Sequence, residues 1–325
     1  MQTKNPLRQR AQSFVQKNVV LMALLMAAAV FAVNILLNPK SLNKNAFGSI
    51  LALTSLLAIS GAGQTMVVLT GSGIDLSAGS IMSLTSILSV QMMNGKDQNV
   101  LLCVLMSILL GAFFGLLNGI GVTRIKLPSM IITYAISNVV TRLQFIITEG
   151  KPTGSAAPSL SRALSYRVLG IFPAVLFYCA ALALLLFLLL RHTKYGRRLY
   201  LVGDSSSVAR YAGIASGRVV VLTYVLAGIL YCLSGFIAAG YFTYVSTSML
   251  DVYTMQGIVA VVIGGTVLTG GKGSYFGTIA GALFMVVLNN CLAVLSVKDC
   301  IQNIIKGLVI IGVLTLYNRD KAVRQ

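Results

Sequence analysis

Ten long apolar runs follow one another along the chain, and short polar segments separate them. Each run has about 20 residues, the length that an α-helix needs to cross the hydrocarbon core of a bilayer. The apolar residues are continuous and do not alternate with polar ones, as they would in the strands of a membrane barrel. The sequence therefore predicts an all-α, polytopic helical membrane protein with about ten transmembrane helices. The predicted spans are residues 19–37, 46–69, 76–93, 99–123, 129–148, 170–190, 218–241, 254–269, 277–297 and 301–317.

The composition agrees with lipid as the solvent for most of the surface. Of the 325 residues, 57% are hydrophobic and only 10% are charged, far fewer than a soluble domain of this size carries. A net charge of +18 suggests nucleic-acid binding in a soluble protein. Here, however, the Lys and Arg residues lie between the apolar runs, and no basic face carries interleaved aromatic residues. We expect a single transmembrane domain over residues 1–325, and no nucleic acid as a partner.

The distribution of basic residues predicts the orientation of the chain. If the N-terminus is inside, sixteen of the 25 Lys and Arg residues fall on the cytoplasmic side and seven on the other, as the positive-inside rule requires. Arg142 and Lys306 remain within spans. Both ends, residues 1–18 and 318–325, are then cytoplasmic. The first run is too long for a signal peptide and lacks a clear cleavage site, so we expect it to be retained as a helix.

The spans lack chemical groups that other classes of membrane protein need. All seven acidic residues map to span ends or loops, whereas ion-coupled carriers usually keep a carboxylate within a span. The single histidine, His192, allows no Ser–His pair, HExxH motif or metal cluster. TGGKGS around Lys272 lacks the Gly six residues earlier and the Ser or Thr that must follow the Lys of a phosphate-binding loop. We therefore expect no catalytic residue, no metal and no bound ATP in this chain.

Two connecting segments are longer than usual, and they are predicted to lie on opposite sides of the membrane. Residues 149–169 form the outer one, and residues 191–217 form the inner one. In the inner segment, Asp204 or a following serine can accept hydrogen bonds as an N-cap, and Gly213 can end a helix in the left-handed conformation. This pattern predicts a short helix at the cytoplasmic face.

Glycine-rich segments indicate breaks in helices and close helix packing. VLTGSG at 68–73 returns as VLTGGKG at 267–273, a faint repeat in which four glycines interrupt spans. Asp75 or Ser77 is predicted to cap the helix after the first break, and a gate is the second interpretation of these positions. Other glycines stand four residues apart, which lets helix backbones approach closely. The break residues are Gly71, Gly73, Gly271 and Gly273, and the packing residues are Gly111, Gly115, Gly119, Gly277 and Gly281.

Three motifs resemble one known family. GSGIDLSAGS at 71–80, GRRLYLVGDSSSVARYAGI at 196–214 and AVVIGGTVLTGGKGSYFGTIAGAL at 260–283 are similar, in order, to ribose-type sugar permeases of the ATP-binding cassette (ABC) importers. The resemblance implies a type II ABC importer-like permease of a bacterial inner membrane. Such a permease pairs with a second permease subunit, receives sugar from an external binding protein and is driven by a cytoplasmic ATPase that holds ATP and Mg²⁺.

The same resemblance implies a coupling helix that docks in a groove of the ATPase. The residues carried over by the motif are Gly203, Asp204, Ser205, Ala209, Arg210, Gly213 and Ile214.

The expected function is therefore the translocation of a ribose-like monosaccharide by a permease embedded in lipid. We expect the binding protein to dock near residues 149–169 and 242–253. A related importer for branched-chain amino acids or nucleosides is one alternative. An ion-coupled carrier or channel, which would work without an ATPase, is another. The sequence leaves open whether the second permease subunit is another copy of this chain or a paralogue.

Overall fold

The computed structural model describes residues 18–39 and 43–318, and most of these residues are helical. The predicted cytoplasmic ends lie outside the described residues, apart from residues 18 and 318. Within the described ranges there are thirteen α-helices and one short hairpin. The helices are α1 (Val19–Leu37), α2 (Lys44–Leu69), α3 (Ala78–Met93), α4 (Val100–Ile120), α5 (Ser129–Thr148), α6 (Pro158–Ser165), α7 (Ala174–His192), α8 (Lys194–Asp204), α9 (Ser206–Tyr211), α10 (Ser216–Phe242), α11 (Val252–Ile263), α12 (Tyr275–Val294) and α13 (Asp299–Asn318).

Each of the ten predicted spans contains a helix, but not all of these helices are full spans. In the described part of the chain, seven helices are long and apolar enough to cross a membrane: α1, α2, α4, α5, α7, α10 and α12. α3 and α11 have only 16 and 12 residues, or about 24 and 18 Å of helix. The hydrocarbon core of a bilayer is about 30 Å thick. The predicted span 254–269 is wrong beyond Ile263, because the glycine-rich residues that follow form turns.

The two short helices begin beside each other inside the bundle. The backbone N–H of Gly79 in α3 donates to Oγ1 of Thr254 in α11 at 2.8 Å. Oγ of Ser83 in α3 donates to the carboxylate of Asp251, directly before α11, at 2.8 Å. Non-helical segments, residues 70–77 and 243–251, bring the chain to this point.

From this meeting point the two short helices run to opposite ends of the bundle. The last residue of α3, Met93, contacts Ala157 at one end. At the other end, Gly264 follows α11 and packs on Gly277 of α12. We call α3 and α11 the half-helices, because each covers only part of the bundle and their N-termini face each other.

The centre of the bundle contains α2, α10 and α12 together with the half-helices, most of whose residues are buried. In the apolar 18-residue stretch of α2, α10 and α12, 72%, 61% and 67% of the residues are buried. The corresponding fraction is 17% in both α1 and α5. The central helices therefore pack on protein, and α1 and α5 lie at the periphery.

The predicted packing glycines lie where helix backbones touch. A Cβ added to Gly111 of α4 would lie 2.5 Å from the carbonyl oxygen of Gly228 in α10. There is no room for a side chain at such a contact, so the predicted close approach is confirmed. The same holds for Gly115 against Tyr224, Gly119 against Val221, Gly277 against Gly264 and Gly281 against Ala260.

The predicted outer loop packs on the end of α10. It contains α6 and β1 (Arg167–Val168), which forms a hairpin with β2 (Phe172–Pro173). The predicted span 170–190 therefore begins as a helix only at Ala174. Oγ of Ser161 donates to the carbonyl oxygen of Gly240 at 2.7 Å, and the N–H of Ala156 donates to that of Thr243 at 3.0 Å. Three segments that the sequence places on one side, 94–98, 149–169 and 242–253, therefore lie together at one end of the bundle.

At this end of the bundle the exposed carboxylate of Asp97 is bonded to the predicted outer loop. The N–H of Ser159 donates to it at 2.9 Å. That hydrogen bond holds the pKa of the Asp97 carboxyl below its ordinary value.

Candidate functional site

Three segments converge at the opposite end of the bundle: the turn after α2, the last turn of α8 and the loop before α12. The N–H of Gly271 donates to the carbonyl oxygen of Leu69 at 3.0 Å. A Cβ added to Gly203 would overlap that same oxygen and would lie 2.6 Å from the nitrogen of Gly271. Gly270 lies directly against Gly71. We call the contact between Gly71, Gly203, Gly270 and Gly271 the glycine junction.

Three of the four glycines of the junction adopt a backbone conformation that other residues rarely adopt. The φ angles are +70° at Gly71, +90° at Gly270 and +72° at Gly271. Gly73 and Gly273 also lie between helices. The four predicted helix breaks are therefore confirmed, and the two copies of the repeat touch each other. A role as a gate stays a prediction.

The start of α3 is not capped as predicted. Ser77 occupies the N-cap position, but its side chain makes no capping hydrogen bond. The carboxylate of Asp75 accepts hydrogen bonds from the N–H and the hydroxyl of Ser77, at 2.8 and 2.6 Å. Oγ1 of Thr254 in α11 accepts a hydrogen bond from the N–H of Gly79 in the first turn of α3, the kind of donor that a cap would satisfy. The predicted cap by Asp75 or Ser77 is wrong, because the loop is buried and a neighbouring helix supplies the acceptor.

Asp75 lies inside the bundle and not at its surface. Its side chain is 1% exposed. The side-chain amide of Gln64 lies 3.2 and 3.1 Å from the backbone nitrogen and oxygen of Asp75, and 3.2 Å from the hydroxyl of Tyr231. In addition, the N–H of Leu76 donates to Oγ1 of Thr133 in α5 at 2.9 Å. Residues 70–77 thus turn back into the bundle and are fixed to α2, α5 and α10.

Two helices, and not one, fill the predicted inner loop 191–217. α8 ends at Asp204, inside the glycine junction. Oγ of Ser205 then accepts from the N–H of Val208 at 3.3 Å and caps α9. Gly213 follows α9 with φ +74°. The predicted serine cap and the left-handed glycine are confirmed.

The predicted coupling residues do not share one surface. Ala209 is fully buried in the core of the bundle, so its side chain cannot contact another protein. Tyr211, at the end of α9, is 93% exposed, and it is not among the residues that the motif predicts. The sign in the sequence that could have identified it is a tyrosine at the end of a short, mostly polar segment. Of the predicted residues, Gly203 and Ala209 are buried, Ser205 and Ile214 are half-buried, and Asp204, Arg210 and Gly213 are exposed.

A basic groove opens beside the glycine junction. Its volume is about 910 Å³, and Arg191, Arg197 and Lys272 are among the residues that line it. At its floor, the hydroxyl of Tyr200 donates to the carbonyl oxygen of Gly273 at 3.1 Å. Burial raises the pKa of Tyr200, so the phenol keeps its proton and remains a donor at neutral pH. This end of the bundle therefore presents positive charge around the junction.

Known proteins are similar to this chain over nearly its whole length. Residues 46–314 match the family described as branched-chain amino acid transport system / permease component. The ribose import permease protein RbsC of Escherichia coli (strain K12) is 31% identical over 324 residues, which are 98% of this chain and 99% of that protein. RbsC of Bacillus subtilis (strain 168) is 34% identical over 291 residues, 88% of each chain. The fructose import permease protein FrcC of Rhizobium meliloti is 30% identical over 318 residues, 94% of this chain and 87% of that protein. No solved structure matches.

Proposed function

Because the chain belongs to the family of branched-chain amino acid transport system permease components, we propose that it is the membrane subunit of an ABC importer for a ribose-like monosaccharide. A separate ATPase drives it. The observation that carries the proposal is the similarity over 98% of the chain to a ribose import permease. The helix α9, which follows α8 and the glycine junction in the chain, supplies the surface on which an ATPase can act.

The glycine-rich loop before α12 supports a division of labour between this chain and an ATPase. A phosphate-binding loop needs backbone N–H groups that are free to point at the phosphates. The N–H of Gly271 is already bound to Leu69, and that of Gly270 to Val267. In this proposal ATP and Mg²⁺ belong to the ATPase subunit, and this chain supplies the pathway and the coupling surface.

The two ends of the bundle suit two different partners. The basic end, with α9 and the glycine junction, faces the cytoplasm by the positive-inside rule and receives the ATPase. At the opposite end, residues 149–169 are bonded to Thr243, and the external binding protein delivers its sugar to the surface that residues 149–169 and 242–253 form. A second permease subunit, embedded in the same lipid, completes the transporter.

A series of contacts joins the ATPase end to the interior of the bundle. α9 follows directly on Asp204, which packs on Gly271 in the glycine junction. The junction holds Gly71, at the start of the segment 70–77. That segment is bonded to α5 through Thr133 and leads into α3. A displacement of α9 by the ATPase therefore reaches both α3 and α5 without passing through lipid-facing helices.

A branched-chain amino acid is the second candidate for the substrate. The description of the family favours it, whereas the names of the relatives that match nearly the whole chain favour a sugar. The choice depends on the ligand of the binding protein, because the pathway of a binding-protein-dependent importer receives only what that protein delivers.

We expect uptake to require the ATPase. The complex would be purified from its native membranes with its ATPase and binding protein, reconstituted into vesicles, and supplied with radiolabelled ribose, fructose or leucine. The expected result is uptake of ribose that stops when ATP or the binding protein is omitted. Saturating uptake of leucine and not of sugar would replace the sugar assignment. Uptake driven by a proton or sodium gradient, without ATPase subunits, would overturn the proposal.

A further inference from the structure

α5 carries a row of polar side chains on its outward surface. Tyr134, Asn138 and Arg142 are four residues apart and therefore lie along one face of the helix. All three are exposed, Tyr134 to 61%. Ser137 and Thr141 lie between them and are half-buried. We call these five residues the polar stripe.

The polar residues on the other face of α5 have a structural explanation, but the stripe has none. On the buried face, Thr133 accepts a hydrogen bond from Leu76, and Gln144 donates to the carbonyl oxygen of Ser80 at 3.0 Å. Within the stripe, the side chain of Asn138 donates only to the carbonyl oxygen of Tyr134 in its own helix, at 2.9 Å. Among residues 18–39 and 43–318, no other helix bonds to the stripe.

Other peripheral helices show what a lipid-facing surface of this chain looks like. The exposed side chains of α4 are all apolar. Those of α7 are also apolar within the span, apart from the phenol of Tyr178. Lipid offers no hydrogen-bond partners, so polar side chains within spans face protein or water. The outward face of α5 therefore differs in kind from the lipid-facing surfaces of α4 and α7.

Asn138 distinguishes a water-facing stripe from residues that merely reach the membrane surface. Arg142 is six residues from the end of α5, about 9 Å, so its long side chain can extend to the headgroups. Tyr134 is close enough to the other end to lie in an aromatic belt. Asn138 is at the middle of α5, about 15 Å from either end, and its short side chain reaches neither surface.

We propose that the polar stripe of α5 lines the solute pathway, which the second permease subunit closes. The stripe lies on the outside of this subunit, so only another chain can enclose it. The amide of Asn138 then bonds to hydroxyl groups of a polyhydroxylated solute, and the ring of Tyr134 packs on its apolar face. This inference rests on the proposed function, because that function supplies the solute and the second subunit.

Water access to position 138 tests the inference directly. Asn138→Cys would be made together with Cys300→Ser, because Cys300 is exposed while the other four cysteines are buried. The matched control is Leu184→Cys in the middle of α7, at a side chain that is 59% exposed. The whole complex in lipid nanodiscs would be treated with trimethylammonium-ethyl methanethiosulfonate, with and without ATP turnover. We expect Asn138→Cys to react at least about ten-fold faster than Leu184→Cys, since the reagent attacks only a hydrated thiolate. If Asn138→Cys and Leu184→Cys reacted at equal rates both with and without ATP turnover, the inference would be overturned.

A transport assay separates this inference from the proposed function. Asn138→Leu is expected to lower ATP-driven ribose uptake by at least about ten-fold, the effect of losing one buried hydrogen-bonding group, while the ATPase still co-purifies. Asn138→Gln should keep part of the rate. Normal uptake by Asn138→Leu contradicts a role in the pathway even if the unaltered complex requires ATP. Uptake without an ATPase by the unaltered complex contradicts the proposed function, whereas the labelling ratio still reports where the stripe faces.

Discussion

Gly203→Leu is expected to lower ATP-driven uptake by roughly five- to 150-fold while the protein still inserts into the membrane. A Cβ at this position overlaps the carbonyl oxygen of Leu69, and the larger side chain must separate α8 from the loop before α12. Such overpacking typically costs about 1–3 kcal/mol. A free-energy change of this size alters the equilibrium that couples the ATPase to the permease by roughly five- to 150-fold. Uptake rate and ATPase activity in reconstituted vesicles, at equal amounts of permease, measure the effect.

A matched substitution controls for the added bulk. Gly217→Leu is made in the second residue of α10, where the nearest atom to an added Cβ, Cβ of Thr123, is 3.9 Å away. This variant should transport at a nearly normal rate. Gly203→Ala, a smaller intrusion, should retain more transport than Gly203→Leu. If Gly203→Leu transports as well as Gly217→Leu, the glycine junction has no part in coupling.

Tyr211→Ala is expected to weaken binding of the ATPase by roughly 30-fold or more, because an exposed tyrosine that anchors an interface contributes about 2 kcal/mol or more. The ring is 93% exposed, so its removal should leave the fold of the permease unchanged. Tyr211→Phe should bind nearly normally, since the aromatic surface remains. Titration of purified permease in nanodiscs with the ATPase subunit gives the dissociation constants.

The control for Tyr211 lies at the opposite end of the bundle. Tyr166 is 66% exposed, beside the hairpin of the predicted outer loop. Tyr166→Ala should leave ATPase binding unchanged. Equal weakening by both substitutions would indicate a general loss of folded permease, and no weakening by Tyr211→Ala would place the docking surface elsewhere.

The sequence predicted the helices well because their signal is local. Apolar runs, the serine cap of α9 and four-residue glycine spacing each depend on neighbouring residues, and the structure agrees with them. The cap of α3 and the end of the span 254–269 are the exceptions. The half-helices were not predicted. The sequence predicted the segments 70–77 and 243–251 largely as connections between spans, and hydropathy does not report whether the backbone of a connection turns back into the bundle. The faint glycine repeat was the only available sign, and it joins the start of α3 to that of α12, not to α11.

The sequence predicted where α9 lies in the chain, but not which of its side chains are exposed. The motif located α9 and the residues around it. It could not distinguish Ala209, which is buried, from Tyr211, which is exposed, because a six-residue helix is too short for an apolar period to show which face packs inward. The burial of Asp75 was missed for a related reason: it depends on Gln64 and Tyr231, which other helices bring to the loop.

The meeting of the half-helices also sets an order of folding. Gly79 is hydrogen-bonded to Thr254, 175 residues later in the chain. At synthesis rates of about 5–20 residues per second, α3 waits roughly 10–35 s for that partner to leave the ribosome. During this interval the backbone donors at the start of α3 have no permanent acceptor, and lipid cannot supply one. We therefore expect the start of α3 to be sheltered at the insertion machinery until α11 arrives. Truncations that end before Thr254 should be degraded as unfolded chains even when every earlier span is intact, whereas truncations that end after α11 keep this contact.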